Sequence, residues 1–280
     1  MRRGHRELSA LVALSVGLAA GGCGKDEAPG LPPADSMDFI NFQKGATPGG
    51  LTSADQTVAT TVNVEQAAAA VGFVAVAVNL YLLVPRLVFA AVVSEKPTQD
   101  GDEWIWKHTF PLAGWEAALH GTKADKLDLS MHITGLRADT SYVNDFVWYT
   151  GSHAATSGLW QIYDPGTAAN PGPSGPVVRI DWARASSTDK GVDFTVVRAD
   201  SPKLNDKLSF TLKGTIATMA IHDEKGGQND DQAAADFSVV WSTASGAGKM
   251  NRVGGTTSCW DTLANGQADI TCPAGDWPLP

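Results

Sequence analysis

Three cysteines carry the most specific chemistry in this sequence. Cys23 lies near the N-terminus, whereas Cys259 and Cys272 lie close together near the C-terminus. In an oxidising compartment, the two C-terminal cysteines are expected to form a disulfide. Closing that loop would stabilise the domain by about 3 kcal/mol in the chain-entropy model. Metal binding by this pair is the weaker alternative, because neither cysteine has a nearby Cys or His and zinc normally takes four ligands.

The residues before Cys23 indicate the compartment. Residues 1–22 have the parts of an export signal, with arginines at positions 2, 3 and 6, a short apolar run over 8–20 and two glycines. The run is shorter than the ~20 residues of a membrane-spanning helix. The sequence therefore predicts export of the chain rather than its insertion through this segment.

The segment Ala20-Gly21-Gly22-Cys23 resembles the lipobox of bacterial lipoproteins. The resemblance implies cleavage before Cys23, a diacylglycerol on its sulfur and therefore a membrane partner reached through the acyl anchor. Because Gly24 rather than Asp follows, it also implies an outer-membrane lipoprotein that faces the periplasm or the cell surface. The alternative is an ordinary secreted protein with a free thiol at Cys23.

Residues 23–36 differ in composition from the rest of the chain. They are rich in Pro, Gly and acidic side chains. Pro and Gly at this density argue against packed structure. This segment is therefore predicted to be a tether between the lipid and the folded domain.

Catalytic motifs are absent from the sequence. It contains no Gly-x-Ser-x-Gly elbow and no His-Glu-x-x-His pair. Four histidines fall in strand-like runs, where each is expected to be a surface or edge residue rather than a metal ligand: His108, His120, His132 and His222. The acidic loop over 223–231 has oxygen ligands for calcium but lacks EF-hand spacing, so a solvated turn is preferred. We therefore expect no catalytic residue, no metal and no cofactor.

The charge balance excludes one class of partner. The formal net charge is −9, and no basic run follows the export signal. Nucleic acid is therefore not expected as a partner. The acidic surface is more simply explained as a solubility feature.

Hydrophobic patterning divides the remaining chain into three parts. Residues 37–66 show little regular pattern and are expected to be an irregular lead-in. Residues 67–93 form a long apolar run interrupted by Gly72, Asn79 and Pro85, which predicts a buried core helix or helix pair. A membrane span and a helix covering an exposed apolar groove are the alternatives.

Residues 94–280 change to period two, the spacing of strands. Trp104 and Trp106 alternate with more polar neighbours, and similar runs recur down to Trp241 between turn signals. About ten such strands would curl or close rather than stay flat. The predicted fold is mainly β, a strongly curved antiparallel meander or barrel, with the N-terminal apolar helix packed on or in it.

Tryptophan is abundant in this β region. Four tryptophans are possible ligand-facing residues for an apolar molecule or a sugar: Trp104, Trp106, Trp148 and Trp160. The simpler interpretation is that they fill the core, since each tryptophan buries a large area.

The order of several short motifs over about residues 67–272 resembles a group of uncharacterised bacterial outer-membrane lipoproteins. Those proteins have an Ala-rich helix, a Trp-rich β-meander and a C-terminal Cys-Trp-Asp followed by a last cysteine. The matching residues here are Trp104-Ile105-Trp106, Gly158-Leu159-Trp160 with Tyr163-Asp164, Ile180-Asp181-Trp182, Val240-Trp241, Arg252-Val253 and Cys259-Trp260-Asp261 with Cys272. The resemblance implies a fold and a location but no reaction.

Three functional hypotheses remain open. The first is a lipid-anchored, non-enzymatic protein that binds an apolar ligand or an envelope protein. It predicts an apolar cavity beneath the helix, as in carriers of lipid or lipoprotein. The second is a structural component of an envelope assembly that acts by surface contact and exposes an apolar patch. The third is a carbohydrate-binding or hydrolytic module, which would need a cleft with paired carboxylates or a polar triad.

Overall fold

The computed structural model describes residues 27–38, 43, 62–111, 114–136, 142–167, 169–225, 233–263, 266–275 and 277. The predicted export signal and Cys23 lie outside these residues. The described part contains a 3-10 turn (Ala34–Met37), one long helix, α1 (Val62–Val93), and fourteen strands. The strands are β1 (Thr98–Asp100), β2 (Glu103–Phe110), β3 (Trp115–Lys123), β4 (Leu127–Leu136), β5 (Tyr142–His153), β6 (Ser157–Ile162), β7 (Val178–Arg184), β8 (Asp189–Val196), β9 (Lys207–Lys213), β10 (Ile216–Asp223), β11 (Ala235–Ser242), β12 (Gly248–Asn251), β13 (Thr257–Leu263) and β14 (Gly266–Ile270).

All fourteen strands belong to one antiparallel sheet, and each pairs with its neighbours in chain order. The sheet begins at β1 and ends at β14 without closing. The prediction of a mainly β fold with an N-terminal apolar helix is confirmed. The prediction allowed either a curved meander or a closed barrel, and the structure has the open meander. The prediction of about ten strands was too low, because short strands such as β1 and β12 span too few residues to show alternation.

Alternation along the strands places one apolar row against α1. In β9, Leu208, Phe210 and Leu212 are buried, while the residues between them are partly exposed. Neighbouring strands continue the row, since Phe210 is paired with Val192 of β8 and with Met219 of β10. Burial of these side chains and of one side of α1 forms a single hydrophobic core.

The helix begins at Val62, five positions before the predicted start of the 67–93 element, and ends at Val93 as predicted. It continues through Pro85 without a break. Apart from the adjacent pair Val88 and Phe89, its buried residues recur every three or four positions, so one stripe faces the sheet: Val64, Ala67, Val71, Ala75, Asn79, Leu82, Pro85, Val88, Phe89 and Val92. By length and composition α1 could also cross a membrane, with a mean hydropathy of 2.3 over an 18-residue window.

The helix connects the two ends of the sheet. At its start, the backbone N–H of Asn63 donates to Oδ1 of Asp269 at 3.0 Å, and its side-chain amide donates to the Cys259 carbonyl at 3.2 Å. Near its other end, the ring of Phe89 meets the ring of Trp160 edge to face at 5.6 Å between centroids. The helix backbone lies close to β2 and β3 at one end of the sheet and to β12, β13 and β14 at the other. The sheet therefore curves, and α1 spans its concave side.

The chain before α1 is packed against the domain from residue 29. Pro29 and Pro32 are buried, and the buried indole N–H of Trp160 donates to Oγ of Ser36 at 3.1 Å. Asp38 forms an ion pair with Arg86 of α1. Pro29, Pro32 and Ser36 of the predicted tether segment thus lie against the domain, where Ser36 supplies the acceptor that a buried indole N–H needs. Residues 23–26 of the expected tether, and most of the lead-in over 37–66, lie outside the described residues.

Cys259 and Cys272 form a disulfide, as the sequence predicts. Cys259 lies in β13, and Cys272 follows β14. The bond therefore ties the last strand of the sheet to the strand before it.

Candidate apolar binding cavity

A cavity of about 420 Å³ separates one flank of α1 from the middle of the sheet. Its helix side consists of Ala77, Val78 and Tyr81. Its sheet side comes from β7, β8, β9 and β10 and the residues beside them, namely Val178, Phe194, Thr195, Val196, Asp206, Lys207, Leu208, Ile221, His222 and Asp223. The cavity lies against β7 to β10, between the two ends of the sheet that the α1 backbone approaches closely.

Strand register brings the apolar part of this lining together. Val178 of β7 is paired with Val196 of β8. On the next pair, Phe194 is opposite Leu208, and Leu208 is in turn opposite Ile221 of β10. Residues at matching positions on antiparallel neighbours present their side chains on the same face. The result is a continuous apolar floor, four strands wide, beneath the flank of α1.

The charged residues of the lining are compensated within the protein. Nζ of Lys207 lies 2.9 Å from Oδ2 of Asp193. Nζ of Lys203 lies 3.6 Å from Oδ1 of Asp223 and 3.8 Å from Oδ2 of Asp206. Because each charge already faces an opposite charge, a neutral ligand fits the site without leaving an ion unpaired.

One hydroxyl on α1 can orient a ligand. Partial burial raises the pKa of Tyr81 above its ordinary value, and the Asp164 carboxylate adds to the shift. A phenol is protonated at neutral pH even at its ordinary pKa, so the Tyr81 hydroxyl can donate one hydrogen bond.

The histidine of the lining is already engaged. Nδ1 of His222 lies 2.8 Å from Oδ1 of Asp236, and Nε2 lies 3.0 Å from Oε2 of Glu224. These hydrogen bonds raise the pKa of His222. With both ring nitrogens occupied, His222 is not placed to act as a general base on a bound molecule.

The four tryptophans considered as ligand-facing do not line this cavity. Trp106 and Trp160 are buried in the core. Trp104 and Trp148 are partly buried and pack against that core, and the Trp148 ring meets Trp115 edge to face at 6.4 Å. This placement favours the interpretation that the tryptophans fill the core.

A second unusual group of side chains surrounds His153, at the end of β5. The residue is 3% exposed, and neither ring nitrogen has a hydrogen-bond partner within the described part of the chain. The ring lies 4.1 Å from that of Trp160 between centroids and is stacked at 5.9 Å on Trp182. Burial lowers the pKa of His153 to about 4, against a smaller opposing effect of the Asp128 carboxylate. The side chain is therefore neutral at physiological pH.

The partly exposed histidines of β2, β3 and β4 each pair with a carboxylate. Nδ1 of His120 lies 3.0 Å from Glu103, and its ring lies 4.5 Å from that of His132 between centroids. Nδ1 of His108 lies 2.7 Å from Glu95, and Nδ1 of His132 lies 2.7 Å from Asp145. Among the described residues, no group of three His, Cys, Asp or Glu side chains is arranged to hold a metal ion.

Sequence patterning indicated β7, β8 and β9, and the carrier hypothesis predicted an apolar cavity beneath the helix, but neither indicated which strands line it. The alternation of Phe194 and Leu208 with polar neighbours indicates a buried face, but core residues and cavity-lining residues share that pattern. Ala77 and Tyr81 carry no signal beyond the apolar run that contains them. The chain matches no protein-family model, no curated protein and no solved structure.

Proposed function

We propose that this protein is a lipid-anchored, non-enzymatic binding protein of the bacterial cell envelope that holds a neutral apolar molecule, such as an acyl chain. The molecule would occupy the cavity between α1 and strands β7 to β10. The observation that carries the proposal is this cavity, whose volume of about 420 Å³ is within the ~300–1,000 Å³ typical of small-molecule sites.

Two further features support the proposal. The lining combines an apolar floor with the hydroxyls of Tyr81 and Thr195 and internally paired charges, a composition typical of sites for weakly polar ligands. The export signal and the lipobox-like segment ending at Cys23 are consistent with a protein held at a membrane. The acyl anchor would then keep the binding domain close to a source of lipid.

Native mass spectrometry of residues 24–280, exported to a bacterial periplasm, tests the proposal. We expect about one bound apolar molecule per chain, identified by solvent extraction of the same sample. Val178→Trp places a large ring in the floor of the cavity and should lower ligand occupancy at least fivefold.

Val253→Trp is the matched control. Val253 is 62% exposed and does not line the cavity, so this variant should keep wild-type occupancy. A ligand-free wild-type chain with the Cys259–Cys272 disulfide formed, or occupancy unchanged by Val178→Trp, would contradict the proposal.

The second candidate function is a structural component of an envelope assembly that acts by surface contact. A specific feature favours it, namely the apolar face that α1 exposes on the side away from the sheet.

A further inference from the structure

The outer face of α1 is apolar and uncovered by the described part of the chain. Phe73 is 76% exposed, Leu80 is 64% exposed and Leu87 is 60% exposed. Val76 and Leu83, which lie between them on the same face, are 53% and 43% exposed. We call these five residues the outer stripe.

The spacing of the outer stripe is that of a coiled-coil seam. Phe73, Val76, Leu80, Leu83 and Leu87 follow one another at intervals of alternately three and four residues, which is the a/d repeat of a heptad. The repeat covers about 21 Å of helix. Ala69 and Ala90 occupy the next seam positions on either side. A seam with this period matches the groove of another helix.

The area of the outer stripe is also suited to a second copy of the chain. With these exposed fractions, the stripe and the adjoining Val84 present on the order of 600 Å² of apolar surface, at the upper limit for monomeric proteins. Two copies related by two-fold symmetry would together bury about 1,200 Å², which reaches the lower limit of stable protein interfaces.

Charge argues for a protein partner over a membrane surface. Helices that lie in a membrane interface usually carry Lys and Arg on their polar side. Between Val62 and Val93 the basic residue is Arg86, and it is engaged by Asp38 and by Asn79. The formal net charge of −9 also opposes binding to anionic lipid.

We propose that the outer stripe of α1 is a homodimer interface, at which it packs against the same stripe of a second copy. The proposal is independent of the ligand cavity, which lies on the flank of α1 beside Ala77 and Tyr81. It identifies a second copy of this chain as the partner that covers the exposed face.

Site-specific photo-crosslinking of the full chain in living bacteria tests the dimer. A photoreactive benzoylphenylalanine at position 80 should give an adduct of twice the monomer mass, and co-expressed copies with two different tags should both be found in it. The same residue at position 253, which is similarly exposed but lies between β12 and β13 and outside the outer stripe, should give at least tenfold less of this adduct.

A charge in the outer stripe supplies the second readout. Leu83→Glu should reduce the position-80 adduct at least tenfold, because it would bury an unpaired carboxylate at the interface, whereas Val253→Glu should leave it unchanged. Adducts only with lipid or with another protein, or no adduct from a chain whose disulfide has formed, would overturn the proposal.

Discussion

His153 is the side chain whose burial has the clearest consequence for stability. Its pKa in the folded protein is about 4, lower than its ordinary value of 6.5, so the unfolded chain binds the proton more readily. The stability from neutral His153 is therefore fully present above about pH 6.5 and is lost as pH falls towards 4. Between pH 7.5 and pH 5.0, we expect the free energy of unfolding to fall by about 2 kcal/mol.

Urea unfolding of wild type and His153→Gln at these two pH values checks this expectation. The variant should lose most of the acid sensitivity. His222→Gln is the matched control, because the pKa of His222 is raised and its contribution therefore declines as pH rises rather than as it falls. Equal acid sensitivity in wild type and His153→Gln would show that other groups cause it.

At the scale of elements, the packing between β5 and β6 depends on Gly151, which has no side chain. A Cβ atom at Gly151 would lie 2.2 Å from Nε2 of His153 and 2.6 Å from Cε3 of Trp160. These two rings occupy the space above the glycine. Gly151→Ala should therefore lower the free energy of unfolding by about 1–3 kcal/mol through overpacking, as measured by urea denaturation.

Gly72→Ala provides the contrasting substitution on α1. A Cβ atom at Gly72 meets no atom within 4 Å, and alanine is the better helix former. This change should stabilise the protein by up to about 1 kcal/mol. If both substitutions destabilised the protein to the same extent, the steric explanation for Gly151 would be wrong.

The two edge strands of the open meander, β1 and β14, differ in length and in how they are held. Strand β1 is three residues long and exposed, and short edge strands offer little template for a further strand. At the other edge, the disulfide between Cys259 and Cys272 holds β14 beside β13. The β1 edge therefore offers little template for a further strand, and the disulfide keeps β14 in place beside β13.

At the scale of the whole molecule, the lipid anchor proposed from the sequence has a direct test. Bacteria that express the full chain should incorporate labelled palmitate into it and retain it in the membrane fraction. Cys23→Ser should abolish the label, because the sulfur that would carry the diacylglycerol is absent. Label retained by Cys23→Ser, or a wild-type chain found unlabelled in the soluble fraction, would contradict the anchor.

The cavity and the outer stripe lie on two different sides of α1, and both sides are apolar. One flank leaves space above the apolar floor of β7 to β10, while the face opposite the buried stripe stays open to a partner. A helix that is apolar on all sides can meet a sheet, a ligand and a second helix at once. The proposed ligand and the proposed dimer would together account for the scarcity of polar side chains over residues 69–91.

The sequence by itself determined the class of each element. Period-two alternation in runs such as Leu208-Ser209-Phe210 specifies strands with one buried face, and short turns between them favour an antiparallel meander. The proximity of Cys259 and Cys272 in the chain was enough to predict their pairing. Strand alternation and the pairing of two nearby cysteines both depend on residues that are close in sequence, so the sequence alone is sufficient to predict them.

Only the tertiary structure decided what each apolar residue faces. Phe194 lines a cavity and Phe210 is enclosed in the core, although both lie in similar alternating runs. Phe73 is open on the outer side of α1, whereas Phe89 in the same apolar run is buried. Their surroundings depend on how far a sheet of fourteen strands curves towards the helix that spans it. That curvature sums small twists over the whole sheet, so no local stretch of sequence specifies it.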